Sequence, residues 1–262
     1  MTAMHDRVAL ITGASSGIGW ATAEAFASKG ARVVVAARRK SELATLVAEI
    51  KARGGQATAI QTDVAVAKEV ERMVAHAIDT FGRLDYAVNN AGIEGQLAPI
   101  TELTEEDWDR VLDINLKGTF LCMKYEARAM LGRGGGAAGE GGGAIVNIGS
   151  VNSFLGFATG SPYVASKHGL IGLTTGASAE LAPQGIRVNL VCPGFIETPM
   201  HRRGRGLLGD EIYDQLLATR VHLRRVGRSE EIARLIVFLC SDEASYVTGT
   251  TVTPDGGFTL TI

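Results

Sequence analysis

The sequence predicts an α/β protein: a doubly wound, Rossmann-type parallel sheet of about seven strands with helices on both faces. Three observations predict it. Short, β-branched apolar runs alternate with longer helix-forming segments, as strands buried on both faces and their crossover helices require. The first apolar run opens into a glycine-rich turn before a helix. The 262 residues, 46% hydrophobic and 21% charged, are ordinary soluble usage and suit one large-cored domain spanning residues 1–262.

The elements follow in order. "RVALITG" (7–13) and "ARVVVAAR" (31–38) read as buried strands, and "IGWATAEAFASKG" between them as a helix stopping at Gly30. "SELATLVAEIKARGG" is helical, "QATAIQTDV" a strand, and "AKEVERMVAHAIDTFG" a helix capped by Gly82. "LDYAVNNAG" makes the fourth strand, and residues 104–131 one long helix whose Thr104 and Asp107 form a capping-box variant. "AIVNIGS", a helix opened by Pro162, "RVNLVCPG", a polar irregular stretch, the helix "SEEIARLIVFLC" and the last strand "TTVTPDGG" complete the chain. Residues 133–143, nearly all small, lack the apolar surface to order themselves and read as a flexible insertion within the domain.

Composition narrows the function classes. A net charge of -2 gives no reason to expect nucleic acid or an anionic membrane as partner. No apolar run approaches the roughly 20 residues of a membrane span. The charged start "MTAMHDRVAL" does not read as an export signal, and Cys122, Cys192 and Cys240, widely spaced, fit reduced thiols in the cytoplasm. No metal site is expected from such spacing.

The turn after the first strand, "TGASSGIG", carries Gly13, Gly17 and Gly19 in a GxxxGxG spacing. Glycines let a backbone approach a pyrophosphate, and the following helix offers unpaired N–H groups and a positive dipole end. Ser15 and Ser16 add hydroxyl donors and Ile18 completes the turn. The second strand ends in Ala37, Arg38 and Arg39, where an NAD site usually offers a carboxylate to the ribose 2′-hydroxyl. Guanidinium groups there favour a 2′-phosphate, hence NADP(H), with NAD(H) as the alternative. Asp63 and Val64 are expected to flank the adenine.

Four further features stand in order: "NNAG" (89–92), Asn115 inside a helix, Ser150 at a strand end, and Tyr163 with Lys167. With TGASSGIG, "YVASK" and "PGFIET" (193–198), they resemble the short-chain dehydrogenase/reductase family almost from end to end. The residue types suit carbonyl chemistry. A ketone gaining hydride develops charge on oxygen, which a proton donor relieves. An ammonium one helical turn, or ~6 Å of rise, from a tyrosine lowers its pKa from its ordinary value near 10. The resemblance implies Tyr163 as acid/base, Ser150 as oxyanion and substrate holder, Lys167 as a binder of the nicotinamide ribose, and Asn115 as support for a proton path. It also implies cofactor contacts from Asn90, Ala91, Gly92, Pro193, Gly194, Ile196 and Thr198. Ser153 is the nearest competitor for Ser150. His168, His5, His76, His201 and His222 are expected to take no part.

Residues 195–226 are too long for a simple connection and read as a lid over the substrate. Asn152, Phe154, Leu155, Phe157, Phe195, Ile196 and Met200 are expected to line an apolar pocket for a small or cyclic ketone. Arg202, Arg203 and Arg205 are expected to face solvent. The competing functions are an NAD-linked dehydrogenase of a sugar, steroid or other alcohol, and a reductase of 3-oxoacyl thioesters. A non-catalytic dinucleotide-binding regulator would have little use for the complete Asn115–Ser150–Tyr163–Lys167 set. The resemblance further implies a homotetramer.

Overall fold

A computed structural model describes residues 4–132 and 142–260. The seven strands are β1 (Val8–Thr12), β2 (Arg32–Ala37), β3 (Gln56–Gln61), β4 (Tyr86–Asn89), β5 (Gly143–Ile148), β6 (Ile186–Val191) and β7 (Thr251–Val252). All pair in parallel, in the order β3-β2-β1-β4-β5-β6-β7. The order reverses between β1 and β4, and a crevice opens there at the carboxyl ends of the strands.

Burial on both faces explains why the strands are continuously apolar. In β1, Ala9 and Ile11 join the core beneath α1 (Gly17–Ser28), α2 (Lys40–Ala52) and α9 (Ser229–Cys240). Val8 and Leu10 point the other way, under α3 (Ala67–Phe81) and α5 (Gly118–Leu131). The larger of these side chains, Val8, Leu10 and Ile11, each contribute roughly 1.5–3 kcal/mol when fully buried. The helix α3 ends where Gly82 takes a left-handed conformation (φ 78°), as its sequence predicts.

Four expectations need correction. The long helix predicted over 104–131 is broken: α4 (Glu105–Leu112) passes through a π-helical turn at Asp113–Lys117 into α5. Thr104 does cap α4, its hydroxyl accepting the Asp107 N–H at 3.1 Å. The irregular stretch after β6 holds two helices, α7 (Pro199–Leu208) and α8 (Asp210–Arg220). The last strand shrinks to two residues, because Gly256 and Gly257 take positive φ and turn the chain away. Gly143, assigned to the flexible insertion, already pairs in β5; residues 133–141 lie outside the described residues. The remaining long helix, α6 (Ser161–Leu181), starts one residue before Pro162, which sits in its first turn.

No helix among the described residues is long and apolar enough to cross a membrane. Cys122, Cys192 and Cys240 are buried and unbridged.

Candidate active site

The crevice at the strand ends is a cleft of about 930 Å³. One end is the glycine turn. Gly13 and Gly17 have positive φ (65° and 58°), which side-chain-bearing residues rarely adopt. A Cβ on Gly13 would lie 2.7 Å from Asn90 Nδ2, and one on Gly17 would lie 2.9 Å from Thr198 Cγ2. Gly19 is different. It is buried against the Gly13 carbonyl, 2.5 Å from where its Cβ would be, and does not line the cleft. Its role is to let α1 close onto the turn.

No side chain caps α1: Ser16 stands at its N-cap without a capping hydrogen bond, leaving the first N–H groups directed at the cleft. The Ser15 and Ser16 hydroxyls accept hydrogen bonds from Arg39 (2.8 and 2.9 Å), so a guanidinium hangs over the turn. Arg38, Asp63 and Val64 line the same end, with Asn90, Ala91, Gly92, Pro193, Gly194, Ile196 and Thr198 along its length. A tight glycine turn, an uncapped helix start and paired arginines fit a dinucleotide's phosphates.

At the other end Ser150 and Tyr163 meet. Ser150 follows β5 and caps a 3-10 turn (Val151–Ser153), its Oγ accepting the Asn152 N–H at 3.2 Å. Ser153 takes the structural part: buried, off the cleft, its Oγ accepting the Ser150 N–H at 3.3 Å. Tyr163, half-buried in the first turn of α6, faces the Ser150 hydroxyl, which favours its charged form. Burial pushes its phenol up to about 12, outweighing that influence, and the charge of Glu94 pushes the same way.

This reverses the expected lowering by Lys167. The ammonium of Lys167 lies 5.6 Å from the centre of the Tyr163 ring, not at its hydroxyl, and donates to the Ile148 carbonyl at 2.7 Å. Burial brings Lys167 down to about 8. A Cβ on Gly92 would sit 3.3 Å from Asn115 Oδ1, tighter than an ordinary contact, so glycine here leaves room for the asparagine rather than for the lysine.

Asn115 does not reach the cleft; it holds the wall from behind. Its Oδ1 accepts the Ile93 N–H and its Nδ2 donates to the Ile93 carbonyl, both at 2.8 Å, and also to Ser166 Oγ at 3.0 Å. The π turn carries it there, which gives this poor helix former its place.

Of the expected substrate pocket, Asn152, Leu155, Phe157, Phe195, Ile196 and Met200 line the cleft; Phe154 is exposed and does not. Sequence reasoning missed Glu94, Leu97, Tyr213 and Phe258, which arrive from separate segments with no shared motif. It also misplaced His201 and, in part, Arg205, whereas Arg202 and Arg203 are exposed as expected. His201 lines the cleft, half-buried and bonded to the Tyr213 hydroxyl, and its pKa is lowered chiefly by burial. Arg203 and Arg205 line it as well, Arg205 also pairing with Asp210 at 2.6 Å, while Arg202 faces out. His168, exposed, bonds only the Val164 carbonyl of its own helix among the described residues.

Comparison with known proteins agrees with this geometry. The family described as Enoyl-(Acyl carrier protein) reductase matches residues 13–259. Cyclohexanol dehydrogenase of Acinetobacter sp. (strain SE19) is 41% identical over 97% of this chain and 96% of its own. The crystal structure of levodione reductase superposes with a TM-score of 0.92 at 35% identity, covering 99% of this chain and 100% of that one. A single-substitution variant of actinorhodin polyketide ketoreductase with NADPH reaches 0.90 at 37%, over 98% of this chain and 99% of that one. The chain belongs to the short-chain dehydrogenase/reductase family. It is an oxidoreductase that acts on CH–OH and C=O groups of small molecules with a nicotinamide dinucleotide.

Proposed function

We propose that this enzyme interconverts a small cyclic ketone and its secondary alcohol with NADP(H), Tyr163 serving as acid and base. The observation that carries this reading is the Tyr163–Ser150 hydroxyl pair, set in the same cleft as the glycine turn. The largely carbon walls of the substrate end, with Leu155, Phe157 and Phe195, and the likeness to a cyclohexanol dehydrogenase support the substrate class.

When bound, the nicotinamide dinucleotide supplies or accepts the hydride. In reduction, the carbonyl oxygen takes up negative charge as its carbon becomes a carbinol. Ser150 donates a hydrogen bond to that oxygen, and Tyr163 transfers its phenolic proton to it, forming the new O–H bond. The Lys167 ammonium, 5.6 Å from the ring centre, gives the resulting phenolate only long-range support, too little to outweigh burial. A phenol pushed up to about 12 starts as the neutral acid that reduction requires. Oxidation runs the same transfers backwards. Asn115 keeps Ile93, and so the wall beside Lys167, in place.

Arg38 and Arg39, with Ala37 where a carboxylate would accept from a ribose hydroxyl, support NADP(H) over NAD(H). The whole chain acts as one domain, α7 and α8 forming its lid. Exposed Phe120 and neighbouring Leu116 and Leu173, on α4–α5 and α6, support self-association; we propose a homotetramer, and the cytoplasm as its location. Sedimentation tests the assembly.

The test of the chemistry is Tyr163→Phe, assayed for ketone reduction alongside NADPH binding. Turnover falls by about 10²–10⁴-fold while binding is retained. A near-normal rate overturns the assignment.

A further inference from the structure

Among the described residues, Glu94 is the one carboxylate lining the substrate end of the cleft beside Tyr163. Its position is fixed. The preceding residue, Ile93, is clamped at both backbone groups by Asn115, and the next, Gly95, turns the chain at φ 83°. There is no space for a side chain at Gly95: its Cβ would lie 2.4 Å from Val111 Cγ2. Glu94 is therefore held on a short rigid turn, half-buried, its charge felt at the Tyr163 phenol.

The carboxylate lacks partners. No hydrogen bond or ion pair of its side chain occurs among the described residues, and burial raises its pKa with only the charge of Arg203 opposing. It shares the cleft lining with the apolar side chains of Ile93, Leu97, Leu155 and Phe157. A half-buried carboxylate beside such side chains costs stability unless a donor meets it. It is also adverse to Tyr163, since it opposes phenolate formation. A purely apolar substrate would make both costs worse by stripping away water.

We propose that Glu94 is a second substrate anchor, accepting a hydrogen bond from a hydroxyl that the substrate carries away from the reacting carbon. The preferred substrates are then diols and hydroxyketones rather than plain alcohols and ketones. A cationic substrate fits less well, because Arg203 and Arg205 line the same end and repel it. A hydroxyl donates to the carboxylate without bringing a charge, and the acid–base pair at Tyr163 keeps its own oxygen. This inference rests on the proposed secondary-alcohol chemistry and names its substrate class.

The experiment compares kcat/KM for cyclohexanol with that for the 1,2-, 1,3- and 1,4-cyclohexanediols in wild type, Glu94→Gln and Glu94→Leu. The readout is the diol-to-cyclohexanol ratio. An effect of Glu94 on the Tyr163 pKa alters every substrate alike and cancels in the ratio; a hydrogen bond to the second hydroxyl does not. Wild type is expected to favour one diol regioisomer at least tenfold. Glu94→Leu lowers that ratio about 10–100-fold, and Glu94→Gln, which keeps an acceptor oxygen, lowers it less. Circular dichroism of each variant establishes that it folds. A wild type with no diol preference, or a ratio unchanged in Glu94→Leu, overturns the anchor alone. Absence of any turnover that Tyr163→Phe abolishes overturns the secondary-alcohol chemistry as well.

Discussion

Glu126 on α5 is fully buried, and its carboxyl has one partner where two oxygens need them. Asn89 Nδ2 donates to its Oε2 at 3.0 Å, while Oε1 has none. The same Asn89 amide donates to Asn147 Oδ1 (3.1 Å), and Asn147 Nδ2 donates to Thr174 Oγ1 (3.0 Å). This polar bridge ties α5 and α6 to the ends of β4 and β5, one residue before Asn90 and before Ile148, whose carbonyl holds Lys167. Burial pushes Glu126 up from an ordinary 4.5 to about 8, more than the single hydrogen bond can offset. The sign follows from linkage. A folded pKa above the unfolded one means that the native protein keeps a proton the unfolded chain releases. Its contribution is therefore fully present below pH 4.5 and is lost as pH rises toward about 8. The slope is about 1.4 kcal/mol per pH unit, giving on the order of 3 kcal/mol by pH 7. Glu126→Gln removes the ionisation but keeps an acceptor for Asn89. Urea unfolding of both proteins at pH 5, 6, 7 and 8, at one protein concentration, isolates the effect, since all other titrations cancel in the difference. Glu126→Gln should gain on wild type by on the order of 3 kcal/mol between pH 5 and pH 8. Parallel stability curves across that range would refute a buried, protonated Glu126.

Three other substitutions separate neighbouring roles. Arg38→Ala should raise the KM for NADPH about tenfold or more while leaving that for NADH within about twofold, because loss of one charge-assisted phosphate contact is worth about 1.5–3 kcal/mol. Equal shifts with both cofactors count against a 2′-phosphate contact. Ser150→Ala should lower kcat by about 10²–10³-fold, as loss of an oxyanion donor does. Ser153→Ala, which removes the acceptor of the Ser150 N–H, should instead cost about 1 kcal/mol of stability with a much smaller change in kcat. If the two serine variants lose activity equally, the cap and the donor have not been told apart correctly.

The parts of the fold legible in the sequence are those written in local runs. β1 and β2 are continuous apolar stretches because both faces are covered, and Gly82 ends α3 because a left-handed residue must. The glycine turn, Ser150 and the Tyr163 helix are likewise legible because each lies next to a strand end that the alternation places. Spacing assigns Gly19 to the cleft, since a motif does not record which glycine faces the ligand and which the helix behind it. The helix α7 escapes notice because its sequence is basic and glycine-rich, and α8 because it is short and largely polar; there Tyr213 is buried against Phe195 and His201 from elsewhere in the chain.

Tyr163 and Lys167 show where local reading ends. The i, i+4 interval places two side chains over one face of α6, and they do lie together there. It does not fix the direction of a flexible ammonium. The Ile148 carbonyl, at the carboxyl end of β5, takes that ammonium because the pairing with β4 stops one residue earlier, at Asn147. Lys167 thus sits beneath the ring instead of at the phenol, and the phenol, left to burial and to Glu94, stays protonated. A tyrosine in that state is an acid that loses its proton only when something in the cleft demands it. The charge that develops on a substrate oxygen held by Ser150 is such a demand, so proton transfer is tied to the presence of the reacting carbonyl.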